Sequence, residues 1–360
     1  MAQHGPSAER LLSLDVFRGL TIGGMMIVNN AGGEDSYSQL EHASWHGWTY
    51  TDTIFPSFLW IVGVAMTLSM AKRVERGDGK IKLMLHALRR AALIFGVGLL
   101  LNGFPLYDLA HLRIPGVLQR IAVCYLVAAL IFLYTSMRGQ IIATVLCLAG
   151  YWLLMGNDYS AETNFARRVD GAVLAGHMWS HSKTWDPEGI ISTIPAVATT
   201  LFGILTGHLL RRSTNHGDRA ARMFLSGNGL MLAGLMLSAW QPINKSLWTG
   251  SYAVLMAGIS TVLFAACYWI CDAKGYRAWA KPLEIYGLNA IAAYIAAGLL
   301  ARVLGLIKID TVSLHKLIYD SLFAPWASPK NASLLFAIAF DLVIFTFVYF
   351  LYRRRWFLKF

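Results

Sequence analysis

Apolar runs of close to twenty residues, parted by short stretches rich in Lys, Arg, Trp and His, recur along the whole chain. A run of that length crosses about 30 Å of hydrocarbon as a helix rising about 1.5 Å per residue. Ten stretches qualify: 11–30, 52–71, 85–103, 115–134, 141–155, 190–210, 220–239, 251–271, 283–304 and 334–352. The fifth is short and close behind its predecessor, and a start at Arg138 would lengthen it. The pattern predicts an all-α, polytopic integral membrane protein. No linker rich in Gly, Ser or Pro divides the chain and no fixed-period repeat runs through it, so one transmembrane domain over 1–360 is expected.

A chain 56% hydrophobic and only 14% charged is too apolar for an ordinary soluble domain. Its net charge of +11 would in a soluble protein suggest nucleic acid as a partner. Here topology is the simpler cause. With the N-terminus placed in the cytoplasm, about two thirds of the 31 Lys and Arg residues fall in or near cytoplasmic segments, including Arg10, Arg18, the loops 72–90, 211–222 and 274–281, and the tail through Lys359. Both termini are therefore expected inside, and no nucleic-acid partner is expected. Asp15 and Arg18 interrupt the first run and no small-residue cleavage site follows it, so the first span is expected to stay in the protein. Cys124, Cys147, Cys267 and Cys271 all fall inside predicted helices, with no disulfide framework and no metal-ligand spacing.

The polar chemistry concentrates at span ends and in the outward-facing loops. Asp15 and Arg18 lie three apart on one helix face and can pair, structurally or around a ligand. Asn29 and Asn30 end the same helix, where an amide caps a terminus or orients a reacting group. The stretch "LEHASWHGW" carries His42 and His46, candidates for general bases near neutral pH. In a locally helical loop the two would share a face, but no HExxH pattern accompanies them. Glu34, Asp35, Glu41 and Asp52 stand at no diagnostic spacing, so no metal is expected. Trp45 and Trp48 suit either interfacial anchoring or stacking on a sugar ring.

Further along, Pro115 suits the first turn of a helix. Gln119 and Arg120 then fall in the first two turns of that span, as candidates for a polar tunnel wall, while Arg113 can stay at the surface. Asp186 and Glu188 read either as helix-start acids or as carboxylates that hold a sugar's ammonium or hydroxyls. Asn244, Lys245 and Trp248 share a short polar loop. Asn289, among small residues in the ninth span, is interhelical glue or tunnel lining.

The stretches "RLLSLDVFRG", "VNN", "HASWHGWTYTDTIFPSF", "RIPGVLQR", "DPEGI" and "PINKSLW" with Tyr252 occur in that order from Arg10 onward. Together they resemble the catalytic membrane domain of the heparan-α-glucosaminide N-acetyltransferase family. The resemblance implies a transmembrane acyltransferase domain that moves acetyl from cytoplasmic acetyl-CoA to the amine of a glucosamine-type sugar on the far side. The family's active histidine corresponds to His42 and its asparagine at the preceding helix end to Asn29. His46 stands where mammalian members have asparagine, which ranks it below His42. Acceptor contacts are expected from Trp45, Asp186, Glu188, Asn244, Lys245 and Trp248. Donor contacts are expected from Asp15, Arg18, Arg113, Gln119, Arg120 and Asn289, with Arg89, Arg90, Arg211, Arg212, Lys274 and Arg277 as candidates for a basic cytoplasmic mouth.

The expected partners are acetyl-CoA as co-substrate, an amino-sugar acceptor and the lipid bilayer, with homodimerisation left open. The chain begins only a few residues before the first matching motif, without the N-terminal luminal domain and preceding span of the lysosomal members. A short amino sugar or an amino-sugar glycan end, met at the periplasmic face of a bacterial inner membrane, is accordingly expected in place of heparan sulfate. His42 would act as a general base or form an acetyl-histidine. Ten spans with buried polar residues also suit an amino-sugar transporter, whose site would lie near the midplane between broken helices. A scaffold would explain the composition but not the motifs.

Overall fold

The computed structural model describes residues 11–212 and 215–358, so Arg10 and Lys359 lie outside the described residues. The chain runs through α1 (Leu12–Asn29), α2 (Tyr50–Glu75), α3 (Lys80–Gly103), α4 (Val117–Tyr134), α5 (Met137–Met155) and the short α6 (Phe165–Val173). It continues through α7 (Thr193–Arg212), α8 (His216–Leu237) and α9 (Gly250–Tyr268), which ends in a π-helical turn at Trp269–Ala273. Then come α10 (Lys281–Leu288), α11 (Ala290–Leu306), a two-stranded antiparallel hairpin of β1 (Lys308–Ile309) and β2 (Val312–Ser313), α12 (Leu314–Leu322) and α13 (Pro329–Arg353).

Among the described residues, eight helices are long and apolar enough to cross a membrane, and the bent pair α10–α11 makes a ninth. Helix α1 is the tenth element of the bundle; Asp15 and Arg18 keep its composition below that of the others. The fold is thus all-α and polytopic. The predicted 283–304 span is corrected: it bends by 69° at Asn289, whose backbone (φ −122°, ψ 34°) leaves the helix. Hydropathy runs unbroken across that point, because one buried amide among alanines barely lowers it. Pro115 is corrected too. It precedes Gly116 and the first turn of α4, and its carbonyl accepts a 3.0 Å bond from Asn102.

Helix α2 forms the centre, against α7 on one side and α9 on another, while α3, α5, α8 and α13 lie outside with most of their surface uncovered. Without a hydrophobic drive between helices in lipid, close approach rests on small residues. A Cβ added at Gly63 would stand 2.0 Å from Thr200 O, and one at Gly203 2.0 Å from Trp60 O. Backbone therefore meets backbone where α2 crosses α7. At the basic end, Asp272 accepts the Leu12 and Ser13 amides at 3.1 Å each and caps α1, whose first N–H groups have no intrahelical partner. Arg18 donates to Asp15 and to Gly287 O, both at 3.2 Å, and ties α1 to α10.

Gly63→Val and Gly203→Val are each expected to destabilise the bundle by about 1–3 kcal/mol through overpacking. Gly150→Val, where no atom lies within 4 Å of an added Cβ, is the control expected to leave the melting temperature in detergent unchanged.

Candidate active site

The segment 41–49 is an extended loop rather than a helix, so His42 and His46 share no face and contact different partners. It closes on the start of α2. Thr49 and Asp52 form a capping box there, and Asp52 is 1% exposed. Its Oδ2 accepts from Ala43 N at 3.1 Å, Thr49 N at 3.0 Å and Thr49 Oγ1 at 3.2 Å. Its Oδ1 stands 2.6 Å from His42 Nδ1. An ionised carboxylate can only accept, so this contact favours the tautomer with N–H at Nδ1 and turns Nε2 toward the far side of the ring. The half-exposed ring is held by a fully enclosed carboxylate. In the sequence Asp52 stands at no diagnostic spacing; the readable signal is Thr49 followed three residues on by an acid.

Lys245, on the loop between α8 and α9, meets the same ring. Its Nζ lies 3.0 Å from Nε2 and 3.1 Å from Nδ1 of His42, and 4.0 Å from Asp52 Oδ1. The loop is shaped by Asn244, which is fully buried and accepts the Leu247 amide at 2.8 Å while its Nδ2 faces His46 Nδ1 at 3.4 Å. Trp248 is 1% exposed, so it lies beneath the site and not at its surface, which corrects its placement among the acceptor contacts. Its indole donates to Thr199 at 3.1 Å and carries the Arg120 guanidinium over its ring at 5.1 Å. Trp45 donates to Tyr159 O at 2.9 Å and packs edge-on against Trp185 at 5.3 Å, fastening the His42 loop to the 156–192 segment.

Asp186 and Glu188 precede α7 by several residues and do not open it. They pair with Arg113, which donates to both Asp186 oxygens at 2.9 and 2.7 Å and to Glu188 at 2.5 Å. Trp179 N and Glu188 N fill the remaining valence of Asp186, whose side chain is 0% exposed, so this carboxylate is spent on the protein itself. Burial disfavours charge on Arg113, but the two carboxylates outweigh it and hold its pKa above the ordinary arginine value. Arg113 is therefore not a loose surface cation. Arg120, buried in α4, donates to Gly189 O and Ser192, and its Nε and Nη1 find no protein partner among the described residues.

Asn29 is not brought to His42. It lines a separate cavity of about 320 Å3 with Asn102, Arg113, Gln119, Tyr294 and Arg302, where the Gln119 amide nitrogen finds no partner among the described residues. A small apolar cavity under it shares Met25, Val117, Leu118 and Tyr294. At the opposite end a cleft of about 860 Å3 is lined by Asp15, Lys72, Arg211, His216, Arg219 and Arg277. Asp15, Ile22, Met26 and Asn29 follow one another at helical spacing along one face of α1, so a single stripe touches all three spaces. Of the basic candidates for a mouth, Arg211 and Arg277 line the cleft; Arg90 lies over Tyr125 and Lys274 over Trp269. Asn289 lies apart from all three, its carbonyl accepting Leu358 N at 3.1 Å.

The profile described as heparan-alpha-glucosaminide N-acetyltransferase, catalytic, matches residues 10–236. The chain is 27% identical over 355 residues to the mouse heparan-alpha-glucosaminide N-acetyltransferase, covering 80% of this chain and 53% of that protein. It is 29% identical over 352 residues to the human one, covering 79% and 52%. The chain thus spans about half the length of the curated relatives it matches.

Two outcomes follow from the charge arrangement. Arg113→Gln strands the buried Asp186 carboxylate and is expected to cost about 3–5 kcal/mol, read as a lowered melting temperature. Lys245 is drawn below its ordinary 10.5 by burial, with Arg120 adding to the effect and Glu188 and Asp52 opposing it. The unfolded chain then binds that proton more readily, so stability rises with pH between the folded value and 10.5. Lys245→Met is expected to flatten that part of the rise in a melting series against pH.

Proposed function

The chain belongs to the heparan-alpha-glucosaminide N-acetyltransferase family, and on that premise we propose that it transfers acetyl from acetyl-CoA to the amine of a glucosamine-type sugar across the membrane. The donor enters at the basic end, cytoplasmic by the positive-inside rule, and the acceptor binds at the periplasmic face of a bacterial inner membrane. The observation that carries this reading is the Asp52–His42 pair: an enclosed carboxylate that orients a solvent-reachable imidazole at the end of the bundle opposite the basic cleft.

In this reading Asp52 accepts the Nδ1 proton and fixes the tautomer, and His42 Nε2 takes a proton from the acceptor amine as it attacks the thioester carbonyl. The general arrangement of an acid, a histidine and a reacting group recurs on many folds and is recognised by roles rather than order. Lys245 Nζ stands 3.0 Å from Nε2, on the side from which an acceptor amine has to approach. Trp45 meets the sugar at the rim; Asp186, Glu188, Asn244 and Trp248 hold the walls in place.

The three spaces along α1 support a path for the donor. Lys72, Arg211 and Arg277 suit the anionic nucleotide; Asp15 lines the same cleft and is held by Arg18. Met25, Phe55 and Phe58 suit an uncharged arm, and Asn29 and Gln119 line the cavity that follows it on the way to the His42 end. Arg113 and Arg120 stand between that cavity and the His42 loop. A transporter would place its site at the helix break; the buried Asn289 there accepts Leu358 N with its side-chain oxygen, and its Nδ2 finds no partner among the described residues.

Purified protein in detergent, given labelled acetyl-CoA and a panel of amino sugars, is expected to release CoA and acetylate the sugar. His42→Ala and Asp52→Asn should each lower turnover about a hundredfold or more. Undiminished turnover in His42→Ala discards this centre; absence of CoA release with every acceptor discards the activity. Intersecting double-reciprocal plots identify direct transfer, and parallel ones an acetyl-histidine.

A further inference from the structure

The nitrogen of His42 that must accept a proton from an incoming amine already faces one that belongs to the protein. Lys245 Nζ lies 3.0 Å from Nε2, with its side chain 19% exposed. The loop behind it is tightly fixed. Trp248 N donates to Lys245 O at 3.0 Å, Thr249 N to Asn244 O at 3.1 Å, and the Trp248 ring below is fully buried. Lys245 is therefore presented to the imidazole by a rigid turn, in the position an acceptor amine has to take. Lysines elsewhere, such as Lys82 and Lys316, are mostly exposed and pair with Asp78 and Asp320.

We propose that Lys245 is a self-acetylation site: when no amino sugar fills the acceptor position, its Nζ takes the acetyl group instead. The inference rests on the acetyl-transfer reading above. The neutral amine attacks the thioester carbonyl carbon, a C–N bond forms and the C–S bond breaks. His42 Nε2 takes the proton that nitrogen loses and returns it to the departing sulfur, so acetyl-CoA and lysine give acetyl-lysine and CoA with no other reactant. Burial also draws the lysine pKa down, which raises the share of free amine. The product amide is uncharged and no longer nucleophilic. Lodged against Nε2, it closes the acceptor position, so the modification switches the enzyme off when donor is present and acceptor is scarce.

The test is peptide mass spectrometry of the purified whole chain after incubation with isotope-labelled acetyl-CoA, with and without an amino sugar. Lys245 is expected to gain label about a hundredfold faster than Lys82 or Lys316, the range a positioned base contributes. The amino sugar should protect it, and His42→Gln should slow it to the rate of the exposed lysines. Labelling no faster than theirs, or unaffected by the sugar, overturns the inference while sugar acetylation continues. Label on neither Lys245 nor sugar overturns both readings. The protection measurement needs no variant, so a His42→Gln chain that fails to fold does not remove the test.

Discussion

One carboxylate holds three things at once. Asp52 caps the first turn of α2, closes the 41–49 loop through the Ala43 and Thr49 amides, and aligns His42. Each task draws on the same physical fact: the first N–H groups of a helix have no intrahelical partner, and an acid placed there satisfies them and meets a favourable dipole. At the end of a membrane span, where water thins out, that satisfaction is harder to replace. The candidate base is therefore attached to the most constrained point of the central helix and not to a mobile loop. Tyr252 reinforces it from α9, donating to the Asp52 carbonyl at 2.6 Å.

The second layer follows from the cost of enclosing charge. Arg113, Asp186 and Glu188 are stable together because Asp186 is fully satisfied, and an enclosed ion pair tolerates no missing partner. This cluster joins the loop after α3 to the turn before α7, and Arg120 joins α4 to the same turn through Gly189. Asp170 of α6 accepts from Ile190 and Asp186, so the long 156–192 segment is tied down by its acids. Trp45 then fastens the His42 loop to it. The polar residues at this end form one connected frame around the imidazole.

Much of the fold was legible because bilayer thickness leaves a coarse signature: runs long enough to span, and basic residues kept to one side. The helix ends at Asn29, Gly103, Tyr134 and Met155 lie where the pattern of apolar residues stops. The break at Asn289 is not legible, since hydropathy does not change there and the partner of its side-chain oxygen, Leu358 N, lies nearly seventy positions away. The site divides in the same manner. His42, Lys245 and the Arg113, Asp186 and Glu188 set stood out as polar residues in apolar surroundings. Their pairing did not, because an acid seventy-three positions from an arginine looks the same in sequence whether it faces a ligand or that arginine. Trp248 looked like a rim aromatic for a related reason: an indole's burial depends on what packs over it.

Separation of Asn29 from His42 follows from these same contacts. Asn29, at the exposed end of α1, lines a cavity with Arg113, and Arg113 in turn binds Glu188, while His42 is held by Asp52 and Lys245. In the acetyl-transfer reading proposed above, a donor on the α1 stripe and an acceptor at the His42 face would meet across the Arg113 and Glu188 layer. Lys245, Glu188 and Arg120 lie within electrostatic reach of one another there. Arg113 offsets the cost of enclosing Asp186 and Glu188, and Arg120 is held by Gly189 O and Ser192 beside them. Such charges are stable within one end of a membrane-embedded bundle only as a connected set.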